Sequence, residues 1–310
     1  MLYYNMMLRR SLLAGGAAVL ATPGVTQGRT RVVATFSILG DLVGQVAGDR
    51  IELAVLVGAD TDAHTYQPKP ADARAVAAAR VMVSNGLGFE GWIDRLAKAA
   101  PFKGRAVVAS AGVPTLKAED EDDHGHTHGH GHGHAIDPHC WQDVGRARRY
   151  VANIVGGLAD ADAANAVFYR ERGAAYDRRL AELDAWVRAE IARVPSVQRR
   201  VITGHDAFGY FAKAYGVQFQ APRGFTTESE PSARDVAALI RQIREQKIKA
   251  LFVENMTNPG LVEQIARESG AVVGPRLYSD ALSGPDGPAP TYEAMMRHNV
   301  TALAAGMLKN

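Results

Sequence analysis

Apolar residues along the chain fall into short β-rich runs separated by stretches with helical spacing. Arg31 to Phe36 (RVVATF) and Ile51 to Gly58 (IELAVLVG) read as strands, being short, rich in β-branched residues and bounded by turn formers. Between them, SILGDLVGQVAG places Ile38, Leu42 and Val46 at helical intervals. PADARAVAAAR begins a helix at Pro70, and VMVSNG, Val81 to Gly86, is a third strand. The same alternation returns in the C-terminal half: RVITG from Arg200, the helix DAFGYFAKAYG, the strand VQFQA, the helix EPSARDVAALIRQIREQ, the strand KALFVE, the helix PGLVEQIARESG and a final strand AVVGPRLY. Ser232 and Asp235 form an N-cap pair for the second of these helices. Strands alternating with helices predict parallel sheets. The expected fold is therefore α/β with two lobes, each a parallel sheet flanked by helices.

Residues 162–195 lie between the two patterns and carry Tyr169, Tyr176, Leu180, Leu183, Val187 and Ile191 on one helical face, stopped by Pro195. A single helix of about 33 residues would run about 50 Å and make a rigid spine between the lobes. The alternative is two shorter helices broken near Gly173. The expected division is a signal peptide at 1–28, an N-terminal lobe at 29–160, a linking helix at 161–194 and a C-terminal lobe at 195–310.

The N-terminus changes the picture of where the protein works. Arg9 and Arg10 precede an apolar run from Leu12 to Ala21 and then small, turn-forming residues. That is the layout of a cleavable export signal, the run being too short to span a bilayer. RRSLL resembles a twin-arginine signal, with ordinary secretion an equal option. No cysteine follows the apolar run, so the expectation is a periplasmic protein with no lipid anchor. The formal charge of +2 falls to about 0 once the two signal arginines are removed, which speaks against a nucleic-acid partner. Cys140 is the one cysteine in 310 residues; it reads as a small buried hydrophobe.

Six of the ten histidines, His124, His126, His128, His130, His132 and His134, sit in the acidic, glycine-rich run EDEDDHGHTHGHGHGH. With no apolar residue to bury, residues 119–134 are expected to be a flexible inserted loop. Of the remaining four, His64, His139 and His205 lie in turn-rich segments after strands: DAHTYQPKP, DPHCWQDV and TGHDAFGYF. Asp280, in LYSDALSG, follows the last strand run. Ligands of open α/β sheets gather beyond the carboxyl ends of strands. His298 falls within a helical stretch and reads as a surface or packing residue. Asp206, Glu228 and Glu254 are candidates for orienting the imidazoles.

These stretches, with NGLGFEGWIDRL and ESEPS, resemble in order and spacing the zinc and manganese solute-binding proteins of ABC importers, the ZnuA/TroA-like cluster A-I group, and most closely the AztC-type zinc proteins. The resemblance covers nearly the whole chain after the signal. It implies a non-enzymatic protein, a monomer, with a metal site in the cleft between its lobes, formed by His64, His139, His205 and Asp280. It implies an ABC permease as partner and, through the AztC likeness, a periplasmic zinc metallochaperone. Manganese-preferring members commonly carry Glu at the position of His205. Three imidazoles and one carboxylate favour tetrahedral Zn²⁺ over the oxygen-rich shell that Mn²⁺ takes.

Two rival readings remain. In a zinc hydrolase three histidines would hold the metal and Asp280 would act as base on its water, although the chain has no H-E-x-x-H. In a general metal buffer the histidine run alone would bind. A third signal, GLGFEG at Gly86 to Gly91, matches the dinucleotide fingerprint G-x-G-x-x-G but lacks the acid expected about 20 residues later at a second strand end.

Overall fold

The computed structural model describes residues 28–117, 136–221, 232–256 and 259–310. The histidine run and nearly all of the signal segment lie outside the described residues.

The first lobe is built from β1 (Thr30–Phe36), α1 (Ser37–Ala47), β2 (Ile51–Val57), α2 (Pro70–Ala78), β3 (Val81–Ser84), α3 (Ile93–Ala99) and β4 (Arg105–Val108). Its four strands pair in parallel in the order β2-β1-β3-β4. Then come α4 (Val144–Ala161) and α5 (Ala166–Ala192). The second lobe runs β5 (Arg200–Ile202), α6 (Gly209–Tyr215), β6 (Gln218–Gln220), α7 (Ala233–Gln246), β7 (Ala250–Leu251), α8 (Pro259–Ser269), β8 (Val272–Val273) and α9 (Tyr292–Met307). Its sheet is also parallel, in the order β6-β5-β7-β8. The α/β architecture with two parallel sheets is as the alternation of patterns predicts.

The spine is one helix of 27 residues, about 40 Å long, shorter than the expected run because residues 163–165 form a 3₁₀ turn ahead of it. It does not break at Gly173. Its buried face is Tyr169, Gly173, Tyr176, Leu180, Leu183, Val187 and Ile191, packed on α1, α4 and α9. Gly173 is there for closeness: a Cβ on it would sit 2.3 Å from Val155 Cγ2 of α4. α9 lies on β5 and β7 as well as on α5, so a single apolar core, with Phe36, Trp141, Phe252 and Leu303 among its members, runs through both lobes. The outer face of the second sheet has its own smaller core, where Val236, Leu239, Ile240 and Ile243 of α7 meet Val262 and Ile265 of α8. Ser232 caps α7 as expected, its Oγ accepting from Asp235 N at 3.2 Å.

The final strand is shorter than AVVGPRLY suggests, with regular pairing only at Val272–Val273. Pro275 has no N–H to offer a ladder, and pairing resumes beyond it where Leu277 N donates to Val253 O at 2.8 Å. The chain thus reaches Asp280 in irregular conformation at a strand's carboxyl end.

Candidate metal centre

Each of the four predicted site residues follows a strand and is fixed by local hydrogen bonds. After β2, the Asp62 carboxylate accepts from His64 N and from Thr65 Oγ1, both at 2.8 Å, while Trp92 Nε1 holds Ala63 O at 2.7 Å. After β4 the chain re-enters through Asp137-Pro138-His139. Asp137 Oδ1 accepts from His139 N at 2.9 Å and lies 2.8 Å from His139 Nδ1. After β5, Gly204 N donates to both oxygens of Glu254 at 3.1 and 3.0 Å, and His205 N donates to Oε1 at 3.3 Å. Glu254 Oε1 also stands 3.4 Å from His205 Nδ1. The Asp280 segment is held from the first lobe, since Trp141 Nε1 and Gln142 Nε2 both donate to Ser279 O at 2.8 Å. From the other side, the Asn299 amide pairs with both backbone groups of Tyr278, at 3.0 and 2.6 Å.

The four side chains converge, with ligand atoms all within 4.8 Å of one another. His64 Nε2 is 3.3 Å from His139 Nε2 and 3.3 Å from Asp280 Oδ2. His205 Nε2 is 3.1 Å from Asp280 Oδ2, and His139 Nε2 is 3.6 Å from Asp280 Oδ1. Four donors set tetrahedrally around an ion at about 2.0–2.1 Å stand about 3.3 Å apart, which is the spacing of these pairs. His139, His205 and Asp280 are buried and His64 is half-buried. Asp280 Oδ1 is buried without a hydrogen-bond partner among the described residues, an orphan that a cation would satisfy.

Charge in the site follows from this packing. Burial, the largest single influence, pulls the His139 and His205 imidazoles down, but Asp280 together with Asp137 at the first and Glu254 at the second outweighs it, so both lie above the ordinary histidine range. Burial pushes Asp280 up, and the two imidazoles more than reverse this, holding it well below the ordinary carboxylate range. An aromatic wall closes one side. Phe89 meets His64 edge-on at 4.4 Å between centroids, and Trp141 meets His139 at 5.3 Å.

Of the orienting acids expected from sequence, Glu254 is at His205, Asp206 is exposed, and Glu228 lies outside the described residues. Asp137 is absent from that expectation. The signal for it is the Asp-x-His spacing shared by Asp62-Ala63-His64 and Asp137-Pro138-His139. Cys140 is fully buried, and burial pushes its thiol up, as a packing residue requires. His298 stands apart, its Nε2 2.8 Å from Arg276 O. The glycine motif binds its own chain: Glu90 accepts from Asn85 N at 2.6 Å, Gly86 N at 3.1 Å and Thr35 Oγ1 at 2.7 Å. A carboxylate already occupies the amides that a pyrophosphate would need.

Comparison with known proteins decides the class. The sequence matches the family of the zinc-uptake complex component A, periplasmic (ZnuA), over residues 32–306. The chain belongs to this family. It is accordingly a substrate-binding transport protein and not an enzyme, and the hydrolase alternative falls. Among relatives, the manganese-binding lipoprotein MntA of Halalkalibacterium halodurans is 29% identical over 96% of this chain and 95% of its own length. The iron-binding protein YfeA of Yersinia pestis is 31% identical over 96% and 92%. Among solved structures, the periplasmic zinc binding protein TroA from Treponema pallidum superposes with a TM-score of 0.82 at 29% identity, over 90% of this chain and 99% of that one.

One expectation is corrected here. Relatives including MntA of H. halodurans and of Bacillus subtilis and PsaA of Streptococcus pneumoniae are named lipoproteins, against a protein with no lipid anchor. That expectation rested on the lack of a cysteine after the apolar run, a feature of one short segment outside the described residues, and it does not carry a conclusion about anchoring. The relatives' names span manganese, iron and zinc, so family membership leaves the choice of metal to the chemistry of the site.

Proposed function

We propose that this chain is the capture component of a metal-importing ABC transporter, that His64, His139, His205 and Asp280 are the four ligands of its divalent cargo, and that Zn²⁺ is the preferred ion. The observation that carries this reading is the convergence of three imidazole nitrogens and one carboxylate within 4.8 Å. A nitrogen-rich, four-donor set suits Zn²⁺, whereas Mn²⁺ takes more oxygens. In this reading residues 29–160 and 195–310 are the lobes, 161–194 the link between them, and residues 1–28 the export signal. The permease is the recipient of the ion. The histidine run at residues 124–134 gathers zinc at lower affinity, since each ion bound there must order a glycine-rich chain.

Chelator competition with Zn²⁺ and Mn²⁺ tests the assignment on the wild type, His139→Ala, His205→Ala and His205→Glu. Either alanine variant should bind Zn²⁺ at least about tenfold more weakly, because one ligand is lost from a buried set. His205→Glu should move the ratio of affinities toward Mn²⁺ as an oxygen replaces a nitrogen. Wild-type zinc affinity in His205→Ala sinks the ligand set, and an unchanged ratio in His205→Glu sinks the zinc preference. Deleting residues 122–134 should remove weak equivalents and leave one tight site; loss of the tight site would place it in the run instead.

A further inference from the structure

Among the described residues, His64 is the most open to solvent of the four donors. Its side chain keeps 19% exposure, against 6% for His139, 5% for His205 and 0% for Asp280. It opens on a cavity of about 410 Å³ whose lining includes Tyr66, Gln67, Trp92 and Arg95. The walls are fixed. Tyr66 OH donates to Asp72 Oδ2 at 2.8 Å, and its ring stands edge-on to Trp92 at 5.4 Å between centroids.

Arg95, on α3, is the one side chain in that lining with a permanent charge. It donates to the neutral Gln67 Oε1 at 3.5 Å, and among the described residues no carboxylate pairs with it. A guanidinium lining a cavity that adjoins a cation site repels a bare dication on approach. It attracts the same metal when the metal arrives inside a complex of net negative charge.

We propose that the cargo is loaded through this cavity as an anionic carboxylate chelate, with Arg95 steering the carboxylates and His64 Nε2 the first protein atom to bond the metal. The proposal rests on the ligand set given above. Metal–oxygen bonds to the chelate break as bonds to the protein form, first to His64 nitrogen and then to the nitrogens of His139 and His205 and an Asp280 oxygen. The freed carboxylates leave beside the Arg95 guanidinium. No change of oxidation state is involved.

Stopped-flow loading of the metal-free full chain tests this with two zinc sources, the negatively charged nitrilotriacetate complex and the aqua ion. Arg95→Glu should slow loading from the complex by about fivefold at low salt, the effect of reversing one charge in the cavity, and raised salt should erase the difference. Loading from the aqua ion should be unchanged or faster, and equilibrium affinity should stay within about twofold, since Arg95 touches no ligand. Arg95→Gln should fall between, and Lys98→Gln, a charge on the same helix outside the cavity lining, should behave as wild type. Equal loading by Arg95→Glu and wild type from the complex overturns the proposal, as does equal slowing from both sources. If His139→Ala abolishes uptake while Arg95→Glu has no effect, the port alone is wrong. If zinc enters from neither source, or His139→Ala does not matter, the ligand set fails and the port with it.

Discussion

Asn255 Nδ2 donates a 2.8 Å hydrogen bond to Asp60 Oδ1, tying the lobes together between the segments that carry His64 and Glu254. The second Asp60 oxygen accepts from Gly284 N at 3.3 Å, and Asp60 N donates to Leu282 O at 2.9 Å. Asp60 takes a left-handed conformation, φ 51°, to make these contacts. Asp60→Ala should therefore destabilise the metal-free protein by about 1 kcal/mol, because the two side-chain bonds go and the conformation remains unfavourable. A double-mutant cycle with Asn255→Ala, read by urea unfolding, should return most of that as coupling. Additive single effects would mean the two residues do not communicate.

Asp137 and Glu254 should matter nearly as much as the proposed ligands they face. Asp137→Asn and Glu254→Gln keep size and remove the charge that orients and enriches His139 and His205. Each should weaken zinc binding by about 10- to 100-fold, measured by chelator competition. Wild-type affinity in both would reduce these acids to packing.

Acid should release the metal, and the two states of the protein should respond to pH in opposite senses. His139 and His205 have raised folded values. Their contribution to the metal-free fold is thus present below the ordinary histidine value of about 6.5 and lost as pH rises through the folded values. Asp280, with a lowered value, contributes above about 3.9 and loses that contribution as pH falls through its folded value. Metal binding displaces the imidazole protons, so affinity rises with pH over the same interval. The difference in melting temperature between loaded and metal-free protein should widen from about pH 6 upward. A constant difference would show that no proton is displaced.

Gly173→Ala should destabilise the fold despite the better helix propensity of alanine. The gain is about 1 kcal/mol, whereas a methyl 2.3 Å from the stiff Val155 side chain costs about 1–3 kcal/mol. In a Val155→Ala background the same change should become stabilising. Thermal unfolding of the four proteins checks the sign reversal.

Gly173 also shows what the sequence conveys and what it withholds. The helical spacing of Tyr169, Tyr176, Leu180, Leu183, Val187 and Ile191 places all six on the buried face of α5. Spacing alone leaves a glycine among them open as either a break or a close approach, since only the neighbour across the interface decides. The proposed site residues stand out in the sequence for a related reason. Strand ends are marked by where β-rich runs stop, and His64, His205 and Asp280 each follow one closely, while His139 comes after β4 only beyond the inserted run. Asp137 is harder, because its role is set by a turn that folds its carboxylate back onto His139. The last strand misleads because AVVGPRLY has strand composition on both sides of Pro275 and pairs regularly only before it.

The two sheets share one strand order, β2-β1-β3-β4 and β6-β5-β7-β8, yet they lend different chemistry. The first half of the chain brings His64 and His139, nitrogen only; the second brings His205 and Asp280, one nitrogen and one oxygen. If these four are the ligands, a change of preferred cargo has a short mutational route through the turns after β5 and β8, while the first sheet stays as it is. Duplicated architecture with unequal donors lets a lineage retune its diet of metals without rebuilding the machine that carries them.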